Sequence, residues 1–239
     1  MKRKSSAPSV VTGGGASRIA GLLTDQGVHV DKVRLQQLEE GAAIIGLRLD
    51  AEQLRLLARH ADLLLKWNKS INLTAITDPS EVVEKHVLDS LAVVPFVPSG
   101  TLLDAGSGAG FPGVPIGIVR PELEVVLVDS VQKKVAFLKN VLAELKQPHI
   151  RAYAVRLEGD PATENLPRVH CAVARAYAAP QAWLALADSY VLPGGIAICM
   201  LGSTDDVPDT VGELRLEKEL GYQLPFSKAE RRLAIYRHS

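Results

Sequence analysis

The chain has 239 residues, of which 47% are hydrophobic and 23% charged, and its formal net charge at pH 7 is zero. This composition is typical of a globular protein, and the neutral balance means that any contact with nucleic acid must come from a local basic patch. No apolar run approaches the roughly 20 residues that span a bilayer, and no signal-peptide pattern is visible, so we expect a cytoplasmic protein without a membrane partner.

The first part of the chain divides into two compositional segments. Residues 1–28 are rich in Ser, Gly and Ala, which predicts a disordered or loosely ordered arm because such a segment buries little apolar surface. Residues 29–96 have the spacing of a helical extension. Residues 97–239 alternate between strand and helix patterns and are expected to form an α/β domain.

Three helices are predicted within the extension. Apolar residues recur at helical spacing between residues 30 and 47. Asp50 is a typical N-cap, and Gln53 completes a capping box for a second helix that is expected to end near Asn68. The pair Asp78-Pro79 predicts the start of a third helix, since Asp is a good cap and Pro suits the first helical position.

A glycine-rich stretch follows the extension. An apolar run ends at Asp104, and glycines then occupy alternate positions: Gly106, Gly108 and Gly110. A strand that enters a helix through such a turn lets a ligand lie directly against the backbone. Pro112 and Pro115 then remove two of the N–H groups that would bind a pyrophosphate. The acid and the prolines favour S-adenosyl-L-methionine (SAM) as the ligand.

A dinucleotide site is the competing interpretation of this stretch. Its G-x-G-x-x-G pattern can be found over residues 108–113, but it is out of register. The strand is expected to end near Ala105, so the turn begins at Gly106, and the position three after Gly108 is Phe111. A dehydrogenase would also need a second mononucleotide-binding half, which the rest of the chain does not supply.

Beyond the turn, strand and helix patterns alternate. Strands are predicted at residues 101–105, 124–129, 150–155, 170–175 and 195–201, and helices at residues 112–119, 131–146 and 181–191. Apolar strands without alternation are buried on both faces. We therefore predict a Rossmann-like SAM-dependent methyltransferase fold, with a mainly parallel sheet covered by helices on both faces.

The tail and the cysteines complete the fold prediction. Helix-forming residues predict a helix at 211–220, and an apolar run predicts a last strand at Arg232–Tyr236. Cys171 and Cys199 lie in apolar runs, so we expect buried, reduced strand residues rather than a disulfide or a metal site.

Several polar residues fall at strand ends, where open α/β sheets bind ligands. Asp129 ends the second strand and can accept hydrogen bonds from ribose hydroxyls or serve the next helix as a cap. Lys133 and Lys134 oppose the dipole of that helix, which indicates either an anionic partner or a solvated pair. Leu157-Glu158 can bracket an adenine, and Arg175 can hold a carboxylate, an RNA phosphate or a structural ion-pair partner.

The extension contributes candidates on the substrate side. His86 and Asp89 lie close together on the third predicted helix, and a single His is more often an internal, satisfied side chain than a catalytic one. Asn72 and Thr74 fall in a loop, where capping a turn is the competing role.

At these residues the chain resembles the bacterial 16S rRNA guanine-N7 methyltransferases, a family also called glucose-inhibited division protein B. The resemblance is continuous from about Leu64 to Arg156 and looser beyond. The run over residues 110–115 is far more specific than a general SAM motif. The other markers are Lys66-Trp67-Asn68-Lys69, Asn72-Leu73-Thr74, residues 85–90, residues 118–121, Asp129-Ser130 and Ala174-Arg175-Ala176.

The resemblance implies methyl transfer from SAM to N7 of a guanine in a loop of 16S rRNA of the small ribosomal subunit. It places cofactor contacts at Gly106, Phe111, Leu157, Glu158 and Arg175. The positions of the turn and the strand ends add four further candidate cofactor contacts: Asp104, Gly108, Gly110 and Asp129. It implies neither a metal nor a general base, and we expect a monomer. The RNA-binding side chains are then expected at Lys66, Lys69, Lys85, Lys133, Lys134 and Arg156, with Arg231 and Arg232 in the tail.

Two departures and two alternatives remain at this point. Gln132-Lys133-Lys134 stands where the family has Gly-Lys-Arg after the second strand. Leu201 stands where the family usually has a lysine, which bears on substrate contacts more than on the cofactor site. A SAM-dependent enzyme of a small molecule is favoured mildly by the neutral charge. A non-catalytic RNA-binding assembly factor with a relic cofactor fold is disfavoured by the intact turn at residues 104–113.

Overall fold

A computed structural model describes residues 32–202 and 205–239. The arm predicted for residues 1–28 lies outside the described residues. Within the described part of the chain, no helix combines the length and hydropathy that crossing a membrane requires.

Three helical segments precede the sheet. They are α1 (Lys32–Ile44), α2 (Ala51–Ile71) and α3, which runs as an α-helical turn at Pro79–Val82, a π-helix at Val83–Leu88 and an α-helical turn at Asp89–Leu91. A short 3₁₀ helix follows at Val94–Phe96. The predicted capping box is confirmed, because the Asp50 side chain accepts the Gln53 N–H and the Gln53 side chain accepts the Asp50 N–H.

Strands and helices then alternate, close to the predicted bounds. The strands are β1 (Thr101–Ala105), β2 (Glu124–Asp129), β3 (Ile150–Ala154), β4 (Val169–Arg175), β5 (Val191–Leu201), β6 (Thr210–Val211), β7 (Leu214–Gln223) and β8 (Glu230–His238). The helices are α4 (Gly113–Val119), α5 (Gln132–Glu144) and α6 (Pro180–Tyr190).

The eight strands form one sheet in the order β3-β2-β1-β4-β5-β8-β7-β6. The first five of these are mutually parallel, whereas β8 pairs antiparallel with both β5 and β7. After β3 at the edge of the sheet, the chain returns to place β4 on the other side of β1, so the strand order reverses between β1 and β4. The carboxyl ends of these two strands therefore border the crevice where such sheets bind ligands.

Each face of the sheet has its own hydrophobic cluster, as expected for a sheet covered by helices on both sides. One cluster joins α1 to α5 with the sheet through residues such as Leu57, Val87 and Phe137. The other packs α6 on the opposite face through Trp183 and Tyr190. Since the helical extension shares its cluster with the sheet, the domain boundary near residue 97 stays a prediction.

The helix predicted at 211–220 is wrong, because this segment contains the end of β6, a turn and the first part of β7. A β-bulge between Leu216 and Lys218 reverses which side chains face which side of the sheet. Leu214 and Leu216 therefore pack against the α6 side, whereas Leu220 and Tyr222 pack against the side of the N-terminal helices. Pairing with β8 and the packing of these apolar side chains outweigh the helix propensity of the segment.

The two cysteines lie on neighbouring strands and are both free and buried. Burial raises the pKa of both thiols, so they are inert packing groups. Among residues 32–202 and 205–239, His, Cys, Asp and Glu side chains form no cluster that could hold a metal ion.

Candidate active site

An open cavity of about 520 Å³ lies at the carboxyl ends of β1, β4 and β5. Its volume falls in the range of roughly 300–1,000 Å³ that is usual for small-molecule sites. One side consists of the turn after β1, which we call the glycine wall: Gly106, Ser107, Gly108, Ala109 and Phe111. The opposite side consists of charged and aromatic residues, which we call the polar wall: Lys85, His86, Asp89, Arg175, Tyr222 and Arg231.

The glycine wall presents bare backbone to the cavity. Gly106 and Gly108 have φ values of 67° and 58°, in the left-handed region that favours glycine. A Cβ atom on Gly106 would lie 2.5 Å from the Tyr177 ring, so this position has no room for a side chain. A ligand on this side can therefore approach main-chain atoms directly.

Asp104 supports the turn from below. It is fully buried, and its Oδ2 accepts the Gly113 N–H at 2.8 Å, while its Oδ1 has no hydrogen-bond partner among the described residues. Burial raises the pKa of this carboxyl to about 7. Asp104 does not line the cavity, and its contacts shape the turn; its direct contact with the ligand stays a prediction.

Asp129 joins the turn to the second strand. Its Oδ2 accepts the Gly108 N–H at 3.0 Å, and its Oδ1 accepts the Val131 N–H at 2.8 Å. Lys134 Nζ lies 3.5 Å from the same Oδ2. The N-cap position of α5 is occupied by Val131, so Asp129 bridges the turn and the helix start without capping the helix itself.

Phe111 stacks with two imidazole rings at the junction of the two walls. The His60 and His86 ring centroids lie 4.6 and 5.0 Å from the Phe111 centroid. His60 Nε2 lies 2.8 Å from the Ala109 carbonyl oxygen, so this nitrogen carries the proton and donates. Burial lowers the pKa of His60 to about 4, and the neutral ring fixes the turn from the α2 side.

His86 is also neutral, with a defined tautomer. Its Nδ1 lies 3.2 Å from an Arg175 NH2 group, which can only donate, so Nδ1 is the acceptor. Its Nε2 therefore carries the proton and donates to Thr74 Oγ1 at 2.9 Å. Burial, with the nearby Arg175 charge as the second cause, lowers the pKa of His86 to about 3.

Arg175 is the centre of the polar wall. One of its NH groups donates to the Lys85 carbonyl at 3.0 Å and to Asp89 Oδ2 at 3.1 Å. Its guanidinium carbon also lies 5.5 Å from the Phe111 ring centroid, within the range of a cation–π contact. The last residue of β4 is thus fixed to the middle of α3 by charge-assisted bonds.

The π-helix of α3 carries much of this wall. Lys85 and His86 lie within it, and Asp89 follows it directly. π-helical turns are rare and occur frequently at functional sites. Glu84, which is buried, accepts the backbone N–H groups of Phe226 and Ser227, each at 2.7 Å, and so ties the β7–β8 turn to the same segment.

Several predicted cofactor or substrate residues do not line the cavity. Gly110 and Leu157 are buried, and Glu158 is exposed in the loop after β3. Asn72 is exposed at the C-cap of α2, with a left-handed φ of 50°, so it ends the helix, which is the competing role noted for it. The functional roles proposed for these four residues stay predictions.

The predicted RNA-binding residues divide into two groups. Lys85 and Arg231 line the cavity. The remaining side chains lie outside the cavity: Lys66, Lys69, Lys133, Lys134, Arg156 and Arg232. Of these, Arg232 forms an ion pair with Glu219 at 2.7 Å. Whether they gather on one face, as the sequence suggests, stays a prediction.

Three residues of this region, His60, Glu84 and Tyr222, were not predicted from the sequence. His60 belongs to a helix with a clear apolar face, and nothing in its spacing indicates contact with the glycine turn. Glu84 and Tyr222 bind partners more than 130 positions away in the chain. The alternation of Leu220, Tyr222 and Leu224 is a strand signal that could have placed Tyr222 on an inward face.

Comparisons with known proteins agree with this architecture. Residues 53–233 match the family model GidB, described as rRNA small subunit methyltransferase G. The chain is 47% identical over 206 residues to the ribosomal RNA small subunit methyltransferase G of Anaeromyxobacter sp. (strain Fw109-5), covering 84% of this chain and 95% of that protein. It is 45% identical over 214 residues to the protein of the same name in Myxococcus xanthus, covering 87% of this chain and 99% of that protein.

A solved structure supports the fold alone. A SAM-dependent methyltransferase from Aquifex aeolicus superposes with a TM-score of 0.51 at 14% identity, covering 70% of this chain and 97% of that chain. The family model is more specific, because its matched span contains every residue that lines the cavity. On this evidence the chain belongs to the rRNA small subunit methyltransferase G family.

Proposed function

We propose that this protein transfers the methyl group of SAM to N7 of a guanine in a loop of 16S rRNA of the small ribosomal subunit. The observation that carries the proposal is that both walls of the cavity fall within the family match at residues 53–233. An rRNA substrate places the reaction in the cytoplasm. Because one chain supplies both walls, we propose that it acts as a monomer.

The glycine wall fits SAM. The bare backbone at Gly106 and Gly108 forms a cradle, in which a Cβ on Gly106 would collide with the Tyr177 ring, and Phe111 and Arg175 border it. We propose that these residues hold the cofactor, with Asp129 next to the turn for the ribose and Leu157 and Glu158 for the adenine. When bound, SAM supplies a methyl group on a positively charged sulfur.

The residues on the acceptor side position the base and do not take a proton from it. Guanine N7 has an in-plane lone pair and no proton to lose, so the reaction needs no general base. The neutral His86, with a pKa of about 3, therefore acts through its hydrogen bonds. Holding two reactants in the correct orientation can supply roughly 7–11 kcal/mol of the barrier. As a negative charge near the base, the buried Asp89 carboxylate also favours the cationic product, and its pairing with Arg175 reduces this effect.

The form of the substrate follows from the position of N7. In A-form RNA this atom lies in the deep, narrow groove, so a base in a loop or splayed from the stack is the accessible one. We propose that the basic side chains around the cavity bind the flanking phosphates: Lys66, Lys69, Lys85, Lys133, Lys134, Arg156, Arg231 and Arg232. Asn72 is proposed to contact the RNA from the loop after α2.

The test uses an atomic substitution in the RNA. Two 16S rRNA transcripts are prepared, one with guanosine and one with 7-deazaguanosine, in which a C–H group replaces N7. Methyl transfer from labelled SAM is expected for the first and is expected to be lost for the second. Methylation of both transcripts would exclude N7 as the acceptor. Small-subunit particles are assayed in parallel, since protein-free RNA and an assembled particle present the loop differently.

Two further measurements separate the alternatives. Calorimetry with SAM distinguishes an enzyme from a non-catalytic assembly factor, which would show no binding. Transfer to small metabolite extracts but to neither RNA nor particles would favour a small-molecule enzyme instead.

A further inference from the structure

The Asp89 carboxylate is bound from three different strands. Its Oδ2 accepts a hydrogen bond from Arg175 of β4 at 3.1 Å. Its Oδ1 accepts the Tyr222 hydroxyl of β7 at 2.7 Å and lies 3.9 Å from Arg231 Nε of β8. Asp89 is only 3% exposed, so these bonds replace nearly all of its hydration. The Asp89 carboxylate therefore connects α3 to three strands of the sheet, in addition to any electrostatic role.

Tyr222 is the one neutral donor of the three. Its hydroxyl points at Asp89, and burial next to this carboxylate raises the pKa of Tyr222, so the hydroxyl stays protonated and keeps donating. Tyr222 also lines the cavity and pairs in register with Arg231 on β8. The β7–β8 hairpin thus contacts Asp89 through the Tyr222 hydroxyl bond and the longer Arg231 ion pair.

The position of Arg175 depends on this arrangement. Its guanidinium contacts four groups, of which Asp89 is the charged one; the others are the Lys85 carbonyl, His86 Nδ1 and the Phe111 ring. If Tyr222 no longer donated to Asp89, the carboxylate would be free to rotate toward Arg231. Arg175 would then lose the fixed acceptor that defines its orientation in the cavity.

We propose that Tyr222 is a positioning residue for methyl transfer, which acts through Asp89 to hold Arg175 in place against Phe111 of the glycine wall. The inference rests on the proposed function and adds the C-terminal hairpin to the machinery of the site. It assigns Tyr222 no proton transfer. The effect is expected on methyl transfer to RNA and, through the contact of Arg175 with Phe111, on the binding of SAM.

The test compares two tyrosines that each lose only a hydroxyl. In Tyr222→Phe the ring that lines the cavity is kept, and kcat/KM for 16S RNA is expected to fall about tenfold or more, as for a lost bond to a charged group. The affinity for SAM, measured by calorimetry, is expected to fall as well, because Arg175 is among the residues proposed to hold the cofactor. The control is Tyr236→Phe, which removes the hydroxyl bond to the Pro208 carbonyl on the opposite face of the sheet. It is expected to lower stability without changing the kinetics.

A double-mutant cycle then tests the route through Asp89. Once Asp89→Asn is present, adding Tyr222→Phe is expected to change kcat/KM less than about twofold. Multiplicative losses would overturn the proposal, as would a Tyr222→Phe enzyme with wild-type kinetics. The same cycle is measured in urea unfolding, which needs no activity: coupling there without a kinetic loss would make the bond purely structural. If the wild-type protein methylates no RNA, the proposed function fails, and the positioning role fails with it.

Discussion

The glycine wall and the polar wall of the cavity are built in opposite ways. The glycine wall is a continuous piece of chain, in which backbone groups face the cavity and side chains such as Asp104 support the turn from behind. The polar wall is assembled from side chains on α3, β4, β7 and β8. Asp89 is 86 positions from Arg175 and 133 positions from Tyr222. The difference indicates that the first wall depends on backbone conformation and the second on tertiary contacts.

The largest effect is expected from Arg175→Ala, which tests how far the polar wall depends on one cation. The change leaves the buried Asp89 without its charged partner in β4, and an unpaired buried charge costs about 3–5 kcal/mol, less here because Arg175 is partly exposed. Methyl transfer is expected to fall at least about 100-fold. Arg175→Lys serves as the control and should recover little, since an ammonium cannot reproduce the planar contacts with Asp89, His86 and the Lys85 carbonyl. Full activity in the lysine variant would show that charge alone suffices.

This contrast explains what the sequence could predict. The five parallel strands and the glycine turn are local patterns, and the structure has them close to the predicted bounds. The polar wall exists only after β7 and β8 pair beside β5. The segment at 211–220 has the composition of a helix, although Leu214, Leu216 and Leu220 lie at alternate positions as in a strand. No partner was therefore predicted for Tyr222. Asp89 was predicted as a candidate site residue, but its bonds to Arg175 and Tyr222 were not.

The second prediction tests the glycine wall by adding one methyl group. Gly106→Ala combines a left-handed φ with a Cβ that would lie 2.5 Å from the Tyr177 ring. We expect the affinity for SAM to fall about tenfold or more, measured by calorimetry. The matched control is Gly46→Ala, whose φ of 82° imposes similar strain but whose Cβ has no neighbour within 4 Å. That variant is expected to lose about 1–2 kcal/mol of stability and no SAM affinity. Equal SAM affinity in both variants would argue against the cradle.

The third prediction concerns the support behind the glycine wall. The pKa of Asp104 is raised from 3.8 to about 7 in the folded protein, so the folded state binds the proton more tightly than the unfolded state. Its contribution to stability is therefore fully present below about pH 4 and is lost as the pH rises toward 7, by up to about 1.4 kcal/mol per pH unit. Asp104→Asn removes this pH-dependent contribution to the stability. The stability difference between variant and wild type, from urea unfolding, should shift in favour of the variant between pH 4 and 7 and level off above.

The buried histidines change the stability with pH in the direction opposite to Asp104. The effect of Asp104 must therefore be read from the difference in stability between the variant and the wild type at each pH. The pKa values of His60 and His86 are lowered to about 4 and about 3, so the unfolded state binds their protons first. Their contribution to stability is present above about pH 6.5 and is lost as the pH falls. Because both variants contain these histidines, subtraction cancels their effect. A flat difference curve would mean that Asp104 ionises in the fold like an exposed carboxyl.

The smallest effect is expected where neither wall is involved, at the surface lysines proposed to bind RNA. Lys133 and Lys146 are both exposed and lie at opposite ends of α5: Lys133 follows the carboxyl end of β2 on the side of the cavity, and Lys146 follows the far end of the helix. If Lys133 binds a phosphate, Lys133→Ala should reduce the slope of log affinity against log salt by about 0.7–0.9, while Lys146→Ala should leave it unchanged. Titrations of 16S RNA fragments over a range of salt concentrations measure both slopes. Equal slopes in the two variants would exclude Lys133 from the RNA contact.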